Sequence, residues 1–177
     1  MTVLVTGGAG YIGSHMVLAL RERNEDVVVV DSLVTADARS LPTEAHFVKG
    51  DISDLDVMRS VIEKYSVSSI VHFAAATIVS ESVANPLKYY KNNTLNTCNL
   101  IDLAIETGVK QFIFSSTAAV YGTPSADLVN EKAPLAPESP YGMSKLMSET
   151  MLQQAGKAYG LSYGILRYFN VAGADPL

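Results

Sequence analysis

Short apolar runs alternate along the chain with longer stretches in which apolar residues recur every three or four positions. The runs are Thr2–Val5, Asp26–Asp31, Ala45–Lys49, Ser69–Phe73, Gln111–Ser115 and Leu161–Leu166, and each reads as a strand. Helical spacing appears in Tyr11–Leu20 (Ile12, Met16, Val17, Leu20) and in Asp54–Tyr65 (Leu55, Met58, Val61, Ile62). Either Ser53 or Asp54 suits the N-cap of the second helix. Asn85-Pro86 opens a longer helical stretch through Thr107, which offers Tyr89, Tyr90, Leu95, Leu100, Ile101, Leu103 and Ala104 for burial. Gly108 is its natural C-cap, and Tyr141–Tyr159 reads as the last helix. The polar segment Ser32–Glu44, with Pro42, and the proline- and acid-rich Thr123–Pro140 read as connections.

Strands that alternate with helices and are mostly apolar on both faces predict an α/β fold, a doubly wound parallel sheet covered by helices on each side. Its connections should be right-handed. Ligands of such sheets sit beyond the carboxyl ends of the strands, near the point where the strand order switches. Asp31, Asp51, Ala74–Ala76 and Ser115–Thr117 all fall at strand C-termini and should line one edge. The three alanines leave room for a flat ligand, although ordinary close packing would use the same residues.

The sharpest signal lies in TVLVTGGAGYIGSH, residues 2–15, which reads as strand, tight turn and helix start. Counted from Gly8 the spacing is G-x-G-x-x-G, and counted from Gly7 it is G-x-x-G-x-x-G. Gly7 and Gly8 allow backbone angles closed to other residues, and Gly10 lets the backbone approach a phosphate without a Cβ. Gly13 lets the helix pack closely on the strand. Unpaired N–H groups at the helix start, with the positive end of its dipole, then favour a pyrophosphate. Asp31 ends the next strand, where a carboxylate accepts hydrogen bonds from both ribose hydroxyls of an adenosine and repels a 2′-phosphate. That favours NAD over NADP, although Asp31 could also simply cap the following turn.

Composition narrows the class. At 177 residues the chain fits one domain that buries about two thirds of its extended surface. No apolar run approaches the ~20 residues that span a bilayer, and the N-terminus lacks the basic start of a signal peptide. A net charge of −5 without a basic cluster argues against a nucleic-acid surface. The single Cys98 excludes an intrachain disulfide, and its place in a helical pattern reads as a small core residue. His15, His46 and His72 give no metal-ligand spacing. A soluble cytoplasmic protein without a metal or membrane partner is expected.

Tyr141 and Lys145 lie four apart in Y-G-M-S-K, on one face of a helix. A free phenol, with a pKa of ~10, is a poor base near neutrality. A fixed positive charge within about 4–6 Å would lower it, and a cationic nicotinamide ring would push the same way. A hydroxyl at Ser116 or Thr117 could orient the substrate oxygen. Together these groups would take a proton from a sugar or alcohol O–H while hydride leaves the same carbon. Alone, a Y-x-x-x-K pair is ordinarily an exposed helix pair. The dinucleotide fingerprint and the strand-end hydroxyls in the same chain change that reading.

The set TGGAGYIGSH, D-S-L at 31–33, G-D-I at 50–52, HFAA at 72–75, Y-Y-K-N-N at 89–93, SSTAAVYG at 115–122, PYGMSK at 140–145 and LRYFNVAGA at 166–174 resembles the extended short-chain dehydrogenase/reductases. Within them it is most similar to the UDP-glucose 4-epimerase (UDP-galactose 4-epimerase) branch, over the whole chain and in the family's order. The resemblance implies a Rossmann-like NAD-binding domain spanning 1–177. Gly7, Gly10, Tyr11, Ile12 and Gly13 would hold the pyrophosphate, and Asp31 the adenosine ribose. Asp51 and Ile52 would sit on the adenine, while Phe73, Ala74, Ala75, Asn92 and Ser115 would line the rest of NAD. Tyr141 would be the catalytic base, Lys145 its partner and nicotinamide-ribose ligand, and Thr117 the catalytic hydroxyl. Tyr168 and Phe169 would flank the nicotinamide, with Ser116, Thr117, Tyr141, Phe169 and Asn170 facing the UDP-sugar. The implied reaction interconverts UDP-glucose and UDP-galactose through a transient 4-keto sugar. Homodimers are common in this family, built from helices corresponding to 86–107 and 141–159.

Two other readings stay open. One is another nucleotide-sugar dehydratase or reductase of the same superfamily; the other is a non-catalytic NAD-binding module. Dehydratases of the superfamily typically place Asp-Glu after the Ser/Thr, and here Ala118 and Ala119 cannot move a proton. Loss of the Tyr/Lys pair marks many non-catalytic members, and this chain keeps it. Thr77 stands where many epimerases carry a lysine that contacts the cofactor. The family's sugar-nucleotide domain should begin near Ala174-Asp175-Pro176-Leu177, so the chain reads as an N-terminal fragment without it. Such a fragment is expected to bind NAD and to turn over UDP-galactose poorly or not at all.

Overall fold

Six strands form where the apolar runs predict them, in a computed structural model that describes residues 1–124 and 128–174. Part of the Thr123–Pro140 connection and the end at 175–177 therefore lie outside the described residues. The strands are β1 (Thr2–Thr6), β2 (Asp26–Asp31), β3 (His46–Lys49), β4 (Ser69–His72), β5 (Gln111–Ser115) and β6 (Ser162–Leu166). All neighbours are parallel, in the order β3-β2-β1-β4-β5-β6. The chain starts in the middle, works outward to β3, then crosses to β4 on the other side of β1. The order therefore switches between β1 and β4, the place where sheets of this kind take their ligands.

Helices α1 (Tyr11–Glu22), α2 (Leu55–Lys64), α3 (Val79–Ala84), α4 (Pro86–Tyr89), α5 (Asn96–Glu106) and α6 (Pro140–Tyr159) complete the described elements, with short 3₁₀ turns at Ala38–Ser40 and Ala118–Tyr121. Alternate residues of the central strands feed two core layers, as a period of two dictates. Leu4, Val28, Val30, Ile70, Phe112 and Phe114 pack with side chains of α2, α5 and α6. Val3, Val5, Val27, Val29 and Val71 pack with Val17, Met16 and Leu20 of α1. The expectation of burial on both faces fails at β3, an edge strand whose residues are mostly exposed.

Local capping follows the sequence. Asp54 rather than Ser53 caps α2, accepting from the Val57 N–H at 3.1 Å. Ser139 caps α6 by accepting from the Gly142 N–H at 3.1 Å, with Pro140 in the first turn, where its missing N–H costs nothing. The long helical stretch from Asn85 is a different matter. It divides into α4, a π-helical turn at Tyr90–Leu95, and α5. The wider turn shifts the helix phase. Asn93, Thr94 and Thr97 turn inward, while Leu95 is 53% exposed and Cys98 lies on the surface. Two expectations are thereby corrected: neither Leu95 nor Cys98 belongs to the core. The six-residue α3 was not expected, being too short to show a helical period.

Candidate active site

The glycine turn is built at the switch point. Gly7 has φ +69°, the left-handed region, and donates its N–H to the Val30 carbonyl at 2.8 Å. A Cβ there would lie 2.6 Å from the Ala74 nitrogen, so the turn also lets the ends of β1 and β4 approach. Gly8 does not need unusual angles, contrary to expectation; what it needs is space, since a Cβ would sit 2.7 Å from Val29 Cγ1. Gly13 packs on the turn itself rather than on the strand, with 2.3 Å between an added Cβ and the Gly7 carbonyl oxygen. Gly10 is the N-cap of α1 in an extended conformation. No side chain caps this helix and no acid occupies its first turn. A Cβ on Gly10 would meet only the Gly7 oxygen, at 3.3 Å, so its outer side is open. The α1 N-terminus, with Tyr11, Ile12 and Gly13 in its first turn, thus presents the positive end of its dipole without a side-chain cap, an arrangement that favours an anion.

Asp31 serves this turn structurally as well. Its carboxylate accepts from the Ala9 N–H at 3.0 Å and from the Leu33 N–H at 2.8 Å. The capping reading of Asp31 holds: it caps the turn after β2 and also anchors the glycine loop. Asp51 is exposed at the next strand end and accepts from the Ser53 N–H at 2.8 Å. Ile52 is 6% exposed and packs into the larger core layer. Tyr11 stands outward and donates its phenol to the Gly173 carbonyl at 2.6 Å, holding the end of the described chain over the start of α1.

Beyond β4, the Phe73 and Ala74 N–H groups both donate to the Thr6 carbonyl, continuing the sheet past its last paired residue. Phe73, Ala74 and Ala75 are half-buried along this edge. The residue that fixes the segment is Asn93, which the sequence reading did not single out. The Asn93 side chain accepts from the Ala76 N–H and donates to the Ala76 carbonyl, both at 2.9 Å, and donates to Ser144 Oγ at 3.1 Å. Asn92 reaches only its neighbour, donating to Asn93 Oδ1 at 3.0 Å. The π turn is what puts Asn93 inward.

The exit of β5 meets one face of α6. Lys145, 3% exposed, donates to the Ser115 carbonyl at 2.8 Å and stands over the Phe114 ring at 4.9 Å. Tyr141 is half-buried, stands beside Thr117, and meets the Tyr89 ring edge-on at 6.4 Å. Gly142 permits this approach, since a Cβ there would come within 2.8 Å of the Ala119 carbonyl oxygen. Ser116 departs from expectation. It is 1% exposed and its hydroxyl donates to Glu149, so of the two candidate hydroxyls only Thr117 faces Tyr141. The Ser115 hydroxyl pairs with the Tyr168 phenol. Phe169, 71% exposed, and Asn170 follow on the surface.

Electrostatics correct one more expectation. Burial pushes the Tyr141 phenol up, and the Thr117 hydroxyl beside it only partly offsets that. Lys145 does not lower it here, because its ammonium is directed at the Ser115 carbonyl. Burial brings Lys145 itself down to about 8, against the pull of the nearby Glu149 carboxylate. His72 lies beneath, between the Thr6 and Thr97 hydroxyls at 2.6 and 2.9 Å; burial, with the Lys145 charge second, lowers it to about 3 and leaves it neutral. Sequence reasoning missed Asn93, Glu149 and Arg167. The one signal available for Glu149 was its spacing, another four residues past Tyr141 and Lys145.

The match to a family model of NAD dependent epimerases and dehydratases runs over residues 3–176. The chain is 48% identical over 174 residues to the UDP-glucose 4-epimerase of Azospirillum brasilense, covering 98% of this chain and 50% of that protein. It superposes with TM-score 0.94 and 46% identity on the UDP-Glc/GlcNAc 4-epimerase of Campylobacter jejuni, covering 98% of this chain and 55% of that one. With the Brucella ovis UDP-glucose 4-epimerase, solved in complex with NAD, the TM-score is 0.95 at 44% identity, covering 98% of this chain and 53% of that one. The chain thus spans about half the length of the relatives it matches. A glycine cradle at the switch point, a Tyr–Lys helix face at the exit of β5 and a likeness running from end to end agree: the chain belongs to the NAD dependent epimerase/dehydratase family.

Proposed function

We propose that the chain is the cofactor-binding half of a NAD-dependent nucleotide-sugar 4-epimerase, interconverting UDP-glucose and UDP-galactose through a transient 4-keto sugar. The observation that carries this is the α6 face that sets Tyr141 beside Thr117 and the buried Lys145 on the Ser115 carbonyl, on the same sheet edge as the Gly7–Gly13 turn and Asp31. The cradle fits a dinucleotide: Gly10 is open outward, the α1 N-terminus has no side-chain cap, and Asp31 flanks it at the next strand end. NAD bound there would supply the acceptor, and later the donor, of the C4 hydride. Gly7, Gly10, Tyr11, Ile12 and Gly13 would hold its pyrophosphate, Asp31 a ribose, and Asp51 and Ile52 its adenine. Phe73, Ala74, Ala75, Asn92, Ser115 and Tyr168 line its remaining path.

Tyr141 accepts the 4-hydroxyl proton, and Thr117 holds the same oxygen in line. Lys145 would hold a ribose hydroxyl of the bound cofactor, and its positive charge would favour the ionised phenol. Phe169 and Asn170 face the sugar nucleotide. Residues 1–177 are the NAD-binding domain; the sugar-nucleotide domain lies in the half of the relatives' length that this chain does not span. Ala118 and Ala119 open the 3₁₀ turn after Thr117 with no acid or base, which disfavours a dehydratase. Retention of Tyr141 and Lys145 disfavours a non-catalytic NAD-binding module.

A homodimer through the outer side of α3–α6 is part of the same proposal, supported by Val83, Leu87, Leu95 and Met147 at 64%, 65%, 53% and 43% exposure. Sedimentation velocity tests it. No helix among the described residues is long and apolar enough to cross a membrane. A cytoplasmic location is proposed on the acidic charge and the lone cysteine. Calorimetric titration of NAD⁺ into the chain, beside Asp31→Ala, tests the main reading. Micromolar binding lost in Asp31→Ala, with no NMR response to UDP-galactose, is expected. A chain folded by circular dichroism that ignores NAD⁺ would overturn it.

A further inference from the structure

Glu149 is fully buried, and the proton-transfer scheme gives it no part. Its carboxylate accepts from the Ser116 hydroxyl and from Arg167, whose Nε lies 3.0 and 3.1 Å from the two oxygens and whose Nη2 lies 2.6 Å from Oε2. Arg167 continues to the Tyr121 phenol, donating at 3.1 Å, with its guanidinium 5.2 Å from that ring. The network thus ties α6 to the exits of β5 and β6 and to the 3₁₀ turn between them. A buried ion pair is a poor device for stability, because apolar side chains of the same volume do as well or better. Its attested use is to fix register, and a register is what stands here. Tyr141, Lys145 and Glu149 are spaced by four along one face of α6 and meet Thr117, Ser115 and Ser116 respectively, three consecutive residues of the strand exit.

We propose that Glu149 is a positioning residue for Tyr141 and Lys145: it locks the Ser115–Thr117 exit against α6 and balances the Lys145 charge. Without the lock to Ser116, Thr117 is free to slide from Tyr141. Without the carboxylate, the Lys145 ammonium has no counter-charge. The other groups around Lys145 do not replace it: Tyr141 on α6 and Tyr168 on the β6 exit are neutral phenols, His72 on β4 is neutral, and Arg167 is itself a cation. Burial already holds Lys145 near 8, so the lost counter-charge would uncharge it in the neutral range.

This inference rests on the proposed roles of Tyr141 and Lys145, but its test needs neither cofactor nor turnover. In the chain labelled with ¹³C,¹⁵N-lysine, the Lys145 Cε and Nζ shifts are followed against pH by NMR. The wild-type midpoint should fall near 8. Glu149→Gln should move it down by about one unit, reducing the charged fraction at pH 8 roughly fivefold. Should Glu149→Gln fail to fold, the same change is made in an Arg167→Met background, where it leaves no buried cation unpaired, and the midpoint should fall relative to Arg167→Met alone. Ser116→Ala keeps the charge and should leave the midpoint in place. An unmoved midpoint in either Glu149 variant, or an equal fall in Ser116→Ala, would overturn the proposal. Failure of wild type to bind NAD⁺ overturns the functional reading instead, and leaves this measurement standing.

Discussion

At the Gly7–Gly13 end of the sheet edge the chain presents backbone N–H groups. At the Thr117–Lys145 end it presents side chains gathered from separate segments. The first end is made by neighbours: Gly10 bonds back to Gly7, and Gly13 touches Gly7 and Gly8. The second depends on pairs 30, 33 and 51 residues apart, namely Lys145 with Ser115, Glu149 with Ser116, and Asn93 with Ser144. The difference teaches where each end is vulnerable. A backbone cradle fails when a Cβ fills it; a side-chain face fails when one distant partner is lost, or when a helix changes phase.

The strongest way to break the comparison is at the glycine end. Gly13→Val forces a side chain into the Gly7 carbonyl, where backbone cannot give way, and should cost about 3 kcal/mol or more with complete loss of NAD⁺ binding. Urea denaturation and calorimetry check both. At the other end, Asn93→Ala leaves the Ala76 N–H and carbonyl and the Ser144 hydroxyl without their partner. It should cost about 2 kcal/mol and weaken NAD⁺ binding without abolishing it. If Asn93→Ala proves as damaging as Gly13→Val, the contrast between the two ends is wrong.

Lys145→Met sharpens the contrast, because here function and stability should oppose each other. Burial lowers Lys145 from 10.5 to about 8, so the folded chain gives up a proton that the unfolded chain keeps. Stability therefore rises with pH between about 8 and 10.5, and the penalty stands in full below 8. Removing the charge relieves about 3 kcal/mol at pH 7, offset by the lost bond to Ser115. Lys145→Met should thus be more stable at pH 7 by about 1–2 kcal/mol, lose the rise in stability above pH 8, and bind NAD⁺ more weakly. Urea midpoints at pH 7 and 10 decide it. The smallest effect is expected at Cys98→Ser: on the surface of α5, it should leave the urea midpoint unmoved, whereas a core cysteine would not.

Much of the fold and about half of the site were legible without coordinates. The strands, the cradle and the Tyr141–Lys145 spacing are local properties. Hydrophobic period shows an element where it stands, and a glycine announces a backbone demand wherever a side chain would collide. The parallel pairing follows from alternation of strand and helix, whereas the strand order does not. By contrast, the inward turn of Asn93 rather than Asn92, the inward turn of Ser116 and the exposure of Cys98 rest on single steps of phase or rotamer. The π turn at Tyr90–Leu95 moves three of these residues by a fraction of a helical turn, and no periodic pattern marks it in advance.

What the sequence by itself determined, then, is the sheet, the glycine turn at the start of α1 and the presence of a phenol–ammonium pair on one helix face. Only the tertiary structure decided which hydroxyl faces Tyr141, where the Lys145 charge points, and which carboxylate balances it. The reason is physical. Backbone conformation and burial period are set within a few residues, whereas the partner of a buried polar side chain is whatever distant group the packed core brings within hydrogen-bond reach.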